Sequence, residues 1–276
     1  MKKWLPLTRL ILLSILILTA CAPTVSTLTI TPTQEPSPTG EPLILTPVES
    51  AFAPGNVTAA PLDDIIASHS VTFDTADGAT VSGELYGSGE TAVIFSVMGN
   101  CKPGWREFAQ LTAAQGFMAL TYQWRGCRES GSVDENEIQK FVEDTRGAIN
   151  FVRGQGAEKI ILVGASLGGL ASAKVAVEMQ ASGLVVIASP PSIPQWGFEI
   201  ERADLNTDIP KLFITAENDN TVSADDTRAL YDLAAEPKEW QTYPGTAHGT
   251  DLFDGENRPE LEQRILRFIQ MIETAR

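Results

Sequence analysis

The sequence predicts an α/β domain, a mostly parallel central sheet with helices on both faces. Three observations carry this. Short apolar runs alternate with helix-like stretches from about Asp63 to the end of the chain. Some of those runs, such as Ala92-Val93-Ile94-Phe95-Ser96-Val97, are apolar at nearly every position, as strands buried on both faces are. The stretch from Lys159 to Ala176 reads as strand, sharp turn and helix, with a serine at the turn.

In chain order, Val71–Asp74 and Val81–Tyr86 flank Asp77-Gly78 and read as an antiparallel hairpin. Ala92–Val97 is the first parallel strand. A helix over Trp105–Gln115 follows, stopped by Gly116, and then a strand over Phe117–Tyr122. A helix from about Ile138 to Arg153 leads into the strand that starts at Lys159, and the helix after it runs to Gln180. Next come a strand over Leu184–Ala188, a proline-rich connection and a strand over Lys211–Thr215. A helix from about Ala224 to Ala234, a strand near Glu239–Tyr243 and an amphipathic helix from Pro259 to about Thr274 close the chain. Ligands of such sheets bind at the carboxyl ends of the strands, which is where Ser166 falls.

The chain has 276 residues, 43% hydrophobic and 20% charged. That supports one sizeable core, assigned to residues 63–276. A net charge of -15 repels a phosphate backbone and argues against a nucleic-acid partner. Residues 1–20 read as a targeting segment: Lys2, Lys3 and Arg9 precede an apolar run over Leu10–Leu18, too short for the ~20 residues of a membrane span. Leu18-Thr19-Ala20-Cys21 then resembles the lipobox of bacterial lipoproteins. The resemblance implies cleavage before Cys21, a lipid on its thiol and an extracytoplasmic protein anchored to the bacterial cell membrane. Residues 21–62, rich in Thr, Pro, Ser and Glu, read as an extended tether.

Within the domain the chemistry concentrates at Gly164-Ala165-Ser166-Leu167-Gly168. A serine at a strained strand-to-helix corner leaves no room for side chains two residues before and after it, and glycine stands at both positions. The helix that follows starts with unpaired N–H groups near the serine, so Ser166 is the candidate nucleophile. A serine hydroxyl needs a base, usually histidine. The chain has two histidines. His69 lies ahead of the first strand and reads as a surface residue, which leaves His248, between the last strand and the last helix. The acid that orients it should follow the strand ending at Thr215, where Glu217 and Asp219 both qualify by spacing.

The order serine, acid, histidine, each after a strand of an α/β alternation, resembles the α/β-hydrolase superfamily over residues 68–276. In relatives the acid segment typically reads Gly-Glu-x-Asp-x-x-Val. Ala216-Glu217-Asn218-Asp219-Asn220-Thr221-Val222 matches all but the first position, and the resemblance thus selects Asp219. It also implies an oxyanion hole built from the backbone N–H groups of Leu167 and Met98, with Gly99 close behind. Val97 stands where relatives often carry histidine. Gln123 and Arg128 replace the aspartate and glycine of the family's Asp-x-Arg-Gly-x-Gly-x-Ser turn. In this fold the loops holding Cys101 and Cys127 are neighbours. The resemblance therefore implies a disulfide that stabilises by roughly 3 to 4 kcal/mol and holds the oxyanion loop.

The segment Ser189–Phe198 is too short for the multi-helix cap of many relatives, which implies a fairly open site. Trp124, Trp196 and Phe198 are candidate pocket residues. A serine rather than an aspartate nucleophile argues against epoxide or haloalkane chemistry. No Cys or His cluster points to a metal, and no cofactor is expected. The expectation is a carboxylesterase-like serine hydrolase acting on a small acyl substrate. A peptidase or acyltransferase with the same triad, or a weakly catalytic surface binding protein, are the rival readings.

Overall fold

The structure is a computed structural model and describes residues 66–275 apart from residues 129 and 131. The targeting segment 1–20, Cys21 and the tether 21–62 lie outside the described residues. The described chain opens with β1 (Ser68–Asp74), β2 (Thr80–Tyr86), β3 (Thr91–Ser96), α1 (Arg106–Ala114) and β4 (Met118–Tyr122). The single turn α2 (Glu135–Ile138) and α3 (Phe141–Gly154) precede β5 (Lys159–Ala165) and α4 (Leu167–Val175). After β6 (Gly183–Ile187), two short strands, β7 (Ser192–Ile193) and β8 (Phe198–Glu199), pair as a hairpin. Next come α5 (Arg202–Leu205), β9 (Lys211–Ala216), α6 (Ala224–Leu233) and β10 (Lys238–Tyr243). A 3-10 helix over Gly249–Asp254 and α7 (Arg258–Thr274) complete it.

One eight-stranded sheet has the order β1-β2-β4-β3-β5-β6-β9-β10. The hairpin of β1 and β2 turns at Asp77-Gly78, with Gly78 at φ 85°, where a side chain would be strained. From β4 to β10 every pairing is parallel. Strands β3, β6 and β9 are buried at every position and β5 at all but its first, the pattern that continuous apolar runs produce. Each fully buried Val, Ile, Leu or Phe there contributes ~1.5–3 kcal/mol.

Alternation along β3 sends neighbouring side chains to opposite faces. Phe95 meets Phe108 of α1, with ring centroids 5.6 Å apart. Ser96 faces the other layer, where its hydroxyl joins Tyr122 (2.9 Å) and, through Tyr122, Thr145 of α3 (2.9 Å). Because β3 lies between β4 and β5, the loops leaving β3 and β5 diverge in opposite directions. That opens a crevice at the carboxyl edge, the usual place for a ligand in such a sheet.

Three expectations shift. The helix expected from Ile138 is two elements: Asp134 caps α2 through the Asn136 N–H, and α3 begins only at Phe141. The helix after Ser166 ends at Val175, and a turn finishing with Gln180 at φ 49° replaces its last residues. His69 lies inside β1 rather than ahead of it, on an exposed position. The proline-rich connection after β6 carries the short β7–β8 hairpin and no multi-helix cap.

Candidate active site

Ser166 sits between β5 and α4 at φ 53° and ψ -120°, in a region that residues with a Cβ avoid at a cost of ~1–3 kcal/mol. The surroundings enforce it. Its N–H donates to Ile187 O (2.8 Å), and the buried Ser189 hydroxyl donates to Ser166 O (2.9 Å). A Cβ on Gly164 would collide with the Gly168 carbonyl, and one on Gly168 with the backbone of Ser96 and Val97. The second contact brings the loop after β3 against the start of α4.

His248 caps the 3-10 helix that begins at Gly249, and its side chain is 13% exposed. Its Nδ1 lies 2.8 Å from Asp219 Oδ2. Asp219 follows β9 with its carboxylate buried, and Oδ1 accepts from the N–H groups of Thr221 (2.8 Å) and Val222 (3.1 Å). Glu217 is exposed, so Asp219 is the carboxylate on the imidazole. With Nδ1 donating to Asp219, Nε2 is the ring nitrogen free to accept a proton. A Cβ on Gly249, which sits at φ 57°, would collide with the Met98 side chain and come within 3.5 Å of the Ala165 methyl. The histidine loop therefore lies beside the serine corner. Among the described residues Ser166 makes no side-chain hydrogen bond to His248; in empty sites such bonds are often long.

The backbone N–H groups of Leu167, Met98 and Gly99 have no hydrogen-bond acceptor among the described residues. They are free donors on the two loops that flank the crevice. Ser96 O, just before this loop, accepts from the Trp105 indole (2.9 Å). Cys101 and Cys127 form a disulfide with Cα atoms 5.7 Å apart.

The aromatic candidates divide. Trp124 is fully buried against Tyr122 and Phe141, so it is core and not an exposed pocket wall. Trp196 and Phe198 ride on the β7–β8 hairpin, half-buried, with centroids 6.2 and 5.0 Å from Phe141. Phe141, absent from the sequence expectations, is where all three converge. Two surface cavities, of about 580 and 420 Å³, are lined by other residues and not by Ser166, Asp219 or His248. Ser166 and His248 are half-buried.

Sequence reasoning also missed an ion-pair cluster around Arg125, just past β4. Arg125, its side chain 5% exposed, reaches Asp144 of α3 (2.6 Å) and Asp77 in the β1–β2 turn (2.5 Å). The Arg125 and Thr75 side chains hold the Asp77 carboxyl well below the usual carboxylate range. Arg128, in contrast, is 61% exposed and pairs with Asp134. Gln123 Oε1 is buried without a partner. Among the described residues, no three His, Cys, Asp or Glu side chains gather as metal ligands would.

Fold and corner together define a class of scaffold, a parallel α/β sheet that presents a serine at its carboxyl edge. Comparison with known proteins places it. A profile of the alpha/beta hydrolase family matches residues 97–267, and the chain belongs to that family. It is 26% identical over 240 residues to the uncharacterized protein YfhR of Salmonella typhimurium, covering 73% of this chain and 81% of that one. Similar solved folds include an esterase domain from Rhodothermus marinus, with a TM-score of 0.59, 17% identity, and coverage of 74% of this chain and 98% of that one. Another is an α/β serine hydrolase without a lid from Xanthomonas campestris, with a TM-score of 0.58, 15% identity, and coverage of 76% and 96%.

Proposed function

We propose that this protein is a serine hydrolase that cleaves a small acyl ester through Ser166, His248 and Asp219. The observation that carries the reading is the 2.8 Å contact between His248 Nδ1 and the buried carboxylate of Asp219, beside a serine held at positive φ. His248 Nε2 takes the Ser166 proton as the oxygen attacks the acyl carbonyl. The oxyanion is received by the free N–H groups of Leu167 and Met98. The imidazolium then protonates the departing alcohol, and a water deprotonated by His248 releases the acid and restores the serine. The half-buried Trp196 and Phe198 beside Phe141 suit a substrate with a modest apolar group.

A fluorophosphonate probe tests this together with a panel of short and long acyl esters. Wild type is expected to be labelled and to turn over an ester. Ser166→Ala should lose labelling and ~10⁵–10⁶-fold in kcat. Folded wild type that resists the probe would defeat the enzyme reading, and labelling without ester turnover would favour a peptidase or acyltransferase.

A further inference from the structure

We infer that the Cys101–Cys127 disulfide is a positioning element of the oxyanion loop, so that its loss lowers turnover while leaving substrate binding nearly intact. This role presupposes the acyl-hydrolase reading and adds to it a residue pair that never touches substrate. The loop's hydrogen bonds point to it. Between Ser96 O, held by Trp105, and the start of α1, the backbone is tied only to itself. Cys101 N–H donates to Met98 O (3.1 Å), Gly104 N–H to Lys102 O (2.9 Å) and Lys102 N–H to Asn100 Oδ1 (3.0 Å). Among the described residues no hydrogen bond links residues 99–104 to anything beyond Met98. Gly99, Asn100, Lys102 and Pro103 are exposed or half-exposed, so burial holds them little, while Gly104 at the far end lies against the Thr250 side chain.

The disulfide is therefore the directional tie of this segment to the fold, and it acts at one turn's remove from the Met98 amide. Cys101 itself sits at φ 60°, a conformation that a side-chain-bearing residue adopts only when its surroundings hold it there.

The far end is firmly anchored. Cys127 N–H donates to Trp124 O (2.8 Å), Asp134 N–H donates to Gly126 O (2.8 Å), and Cys127 bridges Val133. Gly126 is packed against the backbone of Asp134 and Ile138 with no room for a Cβ. Arg125, one residue earlier, is clamped between Asp77 and Asp144. The bond thus connects a weakly tied catalytic loop to a strongly tied one. Electrostatic stabilisation of an oxyanion depends on donors fixed before the charge develops, and a donor that wanders loses most of its effect. Such a loss appears in kcat, because the ground-state carbonyl gains little from the same donor.

The test compares wild type with Cys101→Ser/Cys127→Ser on an ester, well below the melting temperature, with hydrogen exchange followed by peptide. The double variant is expected to lose ~10- to 100-fold in kcat with KM within about threefold. Exchange should rise over residues 97–104 and stay unchanged over 159–175. Dithiothreitol supplies a second route: its two thiols give two electrons and two protons to the bond, leaving two cysteine thiols and the cyclic oxidised reagent. Native wild type reduced in this way should show the same fall and recover on reoxidation, which covers a double variant that does not fold. The inference is overturned if kcat stays within twofold. It is equally overturned if kcat falls only with the unfolded fraction, or if exchange rises throughout the sheet, as loss of a purely structural staple would give. Should wild type neither label nor turn over esters, the hydrolase reading fails by itself. Exchange then decides for the tether: a rise confined to 97–104 supports it, and no rise sinks it.

Discussion

Two loops meet over the crevice between β3 and β5, and they are held by opposite means. The corner around Ser166 is fixed by crowding: Gly164, Gly168 and Gly169 each lie against neighbouring atoms with no space for a Cβ, and Ser189 pins the Ser166 carbonyl. The loop from Val97 to Gly104 has slack at Gly99, where an added Cβ would meet only the flexible Leu167 side chain at 3.4 Å. A covalent bond does for it what close packing does for the corner. The group that makes bonds is held by many short-range contacts that cannot be lost one at a time. The Leu167 amide shares the crowding of the corner, whereas the Met98 amide stands at the head of a segment whose hydrogen bonds are internal and whose covalent tie to the fold is the disulfide.

The two modes of support predict a ranking of effects, and the largest belongs to the side that holds the bond-making apparatus. Asp219→Asn keeps the shape of the carboxylate but presents an amide to His248 Nδ1, which favours the wrong imidazole tautomer. A loss of ~10⁴-fold in kcat is expected, measured by steady-state ester hydrolysis with folding checked by circular dichroism. A loss of tenfold or less would mean that the Asp219–His248 contact is structural, and the two loops would no longer differ in kind.

The next contrast is between one glycine of the serine corner and one of the loop after β3. Gly168→Ala drives a methyl into the backbone of Ser96 and Val97, atoms that cannot rotate away. The cost should be at least ~3 kcal/mol, a drop of ~6–12 °C in Tm for a domain of this size. Gly99→Ala meets a side chain that can give, and it should cost no more than ~1 kcal/mol. Equal losses in a thermal melt would erase the distinction between a crowded corner and a slack loop.

The legible parts of the molecule are those whose cause is local. A strand, small residues at fixed offsets and a helix identify the Ser166 corner because the crowding of Gly164 comes from residues within five positions of it, although Ser96, Val97 and Ser189 close on Gly168 and Gly169 from distant parts of the chain. His248 stood out by scarcity. Between Glu217 and Asp219, spacing alone was neutral. Burial distinguishes them, since only Asp219 turns inward to the two amides that follow it. What could not be read depends on distant chain. Arg125 finds Asp144 19 residues on and Asp77 48 residues back, and neither acid carries a local mark. Trp124 is core because Phe141 and Tyr122 close over it, and an aromatic just past a strand end looks the same whether or not a helix covers it. Ser189 gives no sequence signal at all, since its role lies in hydrogen bonds to the Ser166 and Ile187 carbonyls that the fold brings to its hydroxyl.

The smallest effect probes the strongly tied end of the disulfide through pH. Arg125 and then Thr75 hold the Asp77 carboxyl well below the usual carboxylate range. The ionised form is thus favoured in the folded protein relative to the unfolded chain, where an aspartate titrates near ~3.9. That contribution is present above about pH 4 and is lost as pH falls from there through the lower folded value. Asp77 is 38% exposed, so solvent screening keeps the effect modest. Asp77→Asn should therefore be less stable than wild type at pH 7, with the gap in urea midpoint narrowing progressively below about pH 4. A gap that does not change with pH would assign Asp77 a packing role in the hairpin turn. Arg125 would then be anchored by Asp144 alone, and the contrast between the firm and the slack end of the bond would rest on the backbone ties of Gly126 and Cys127.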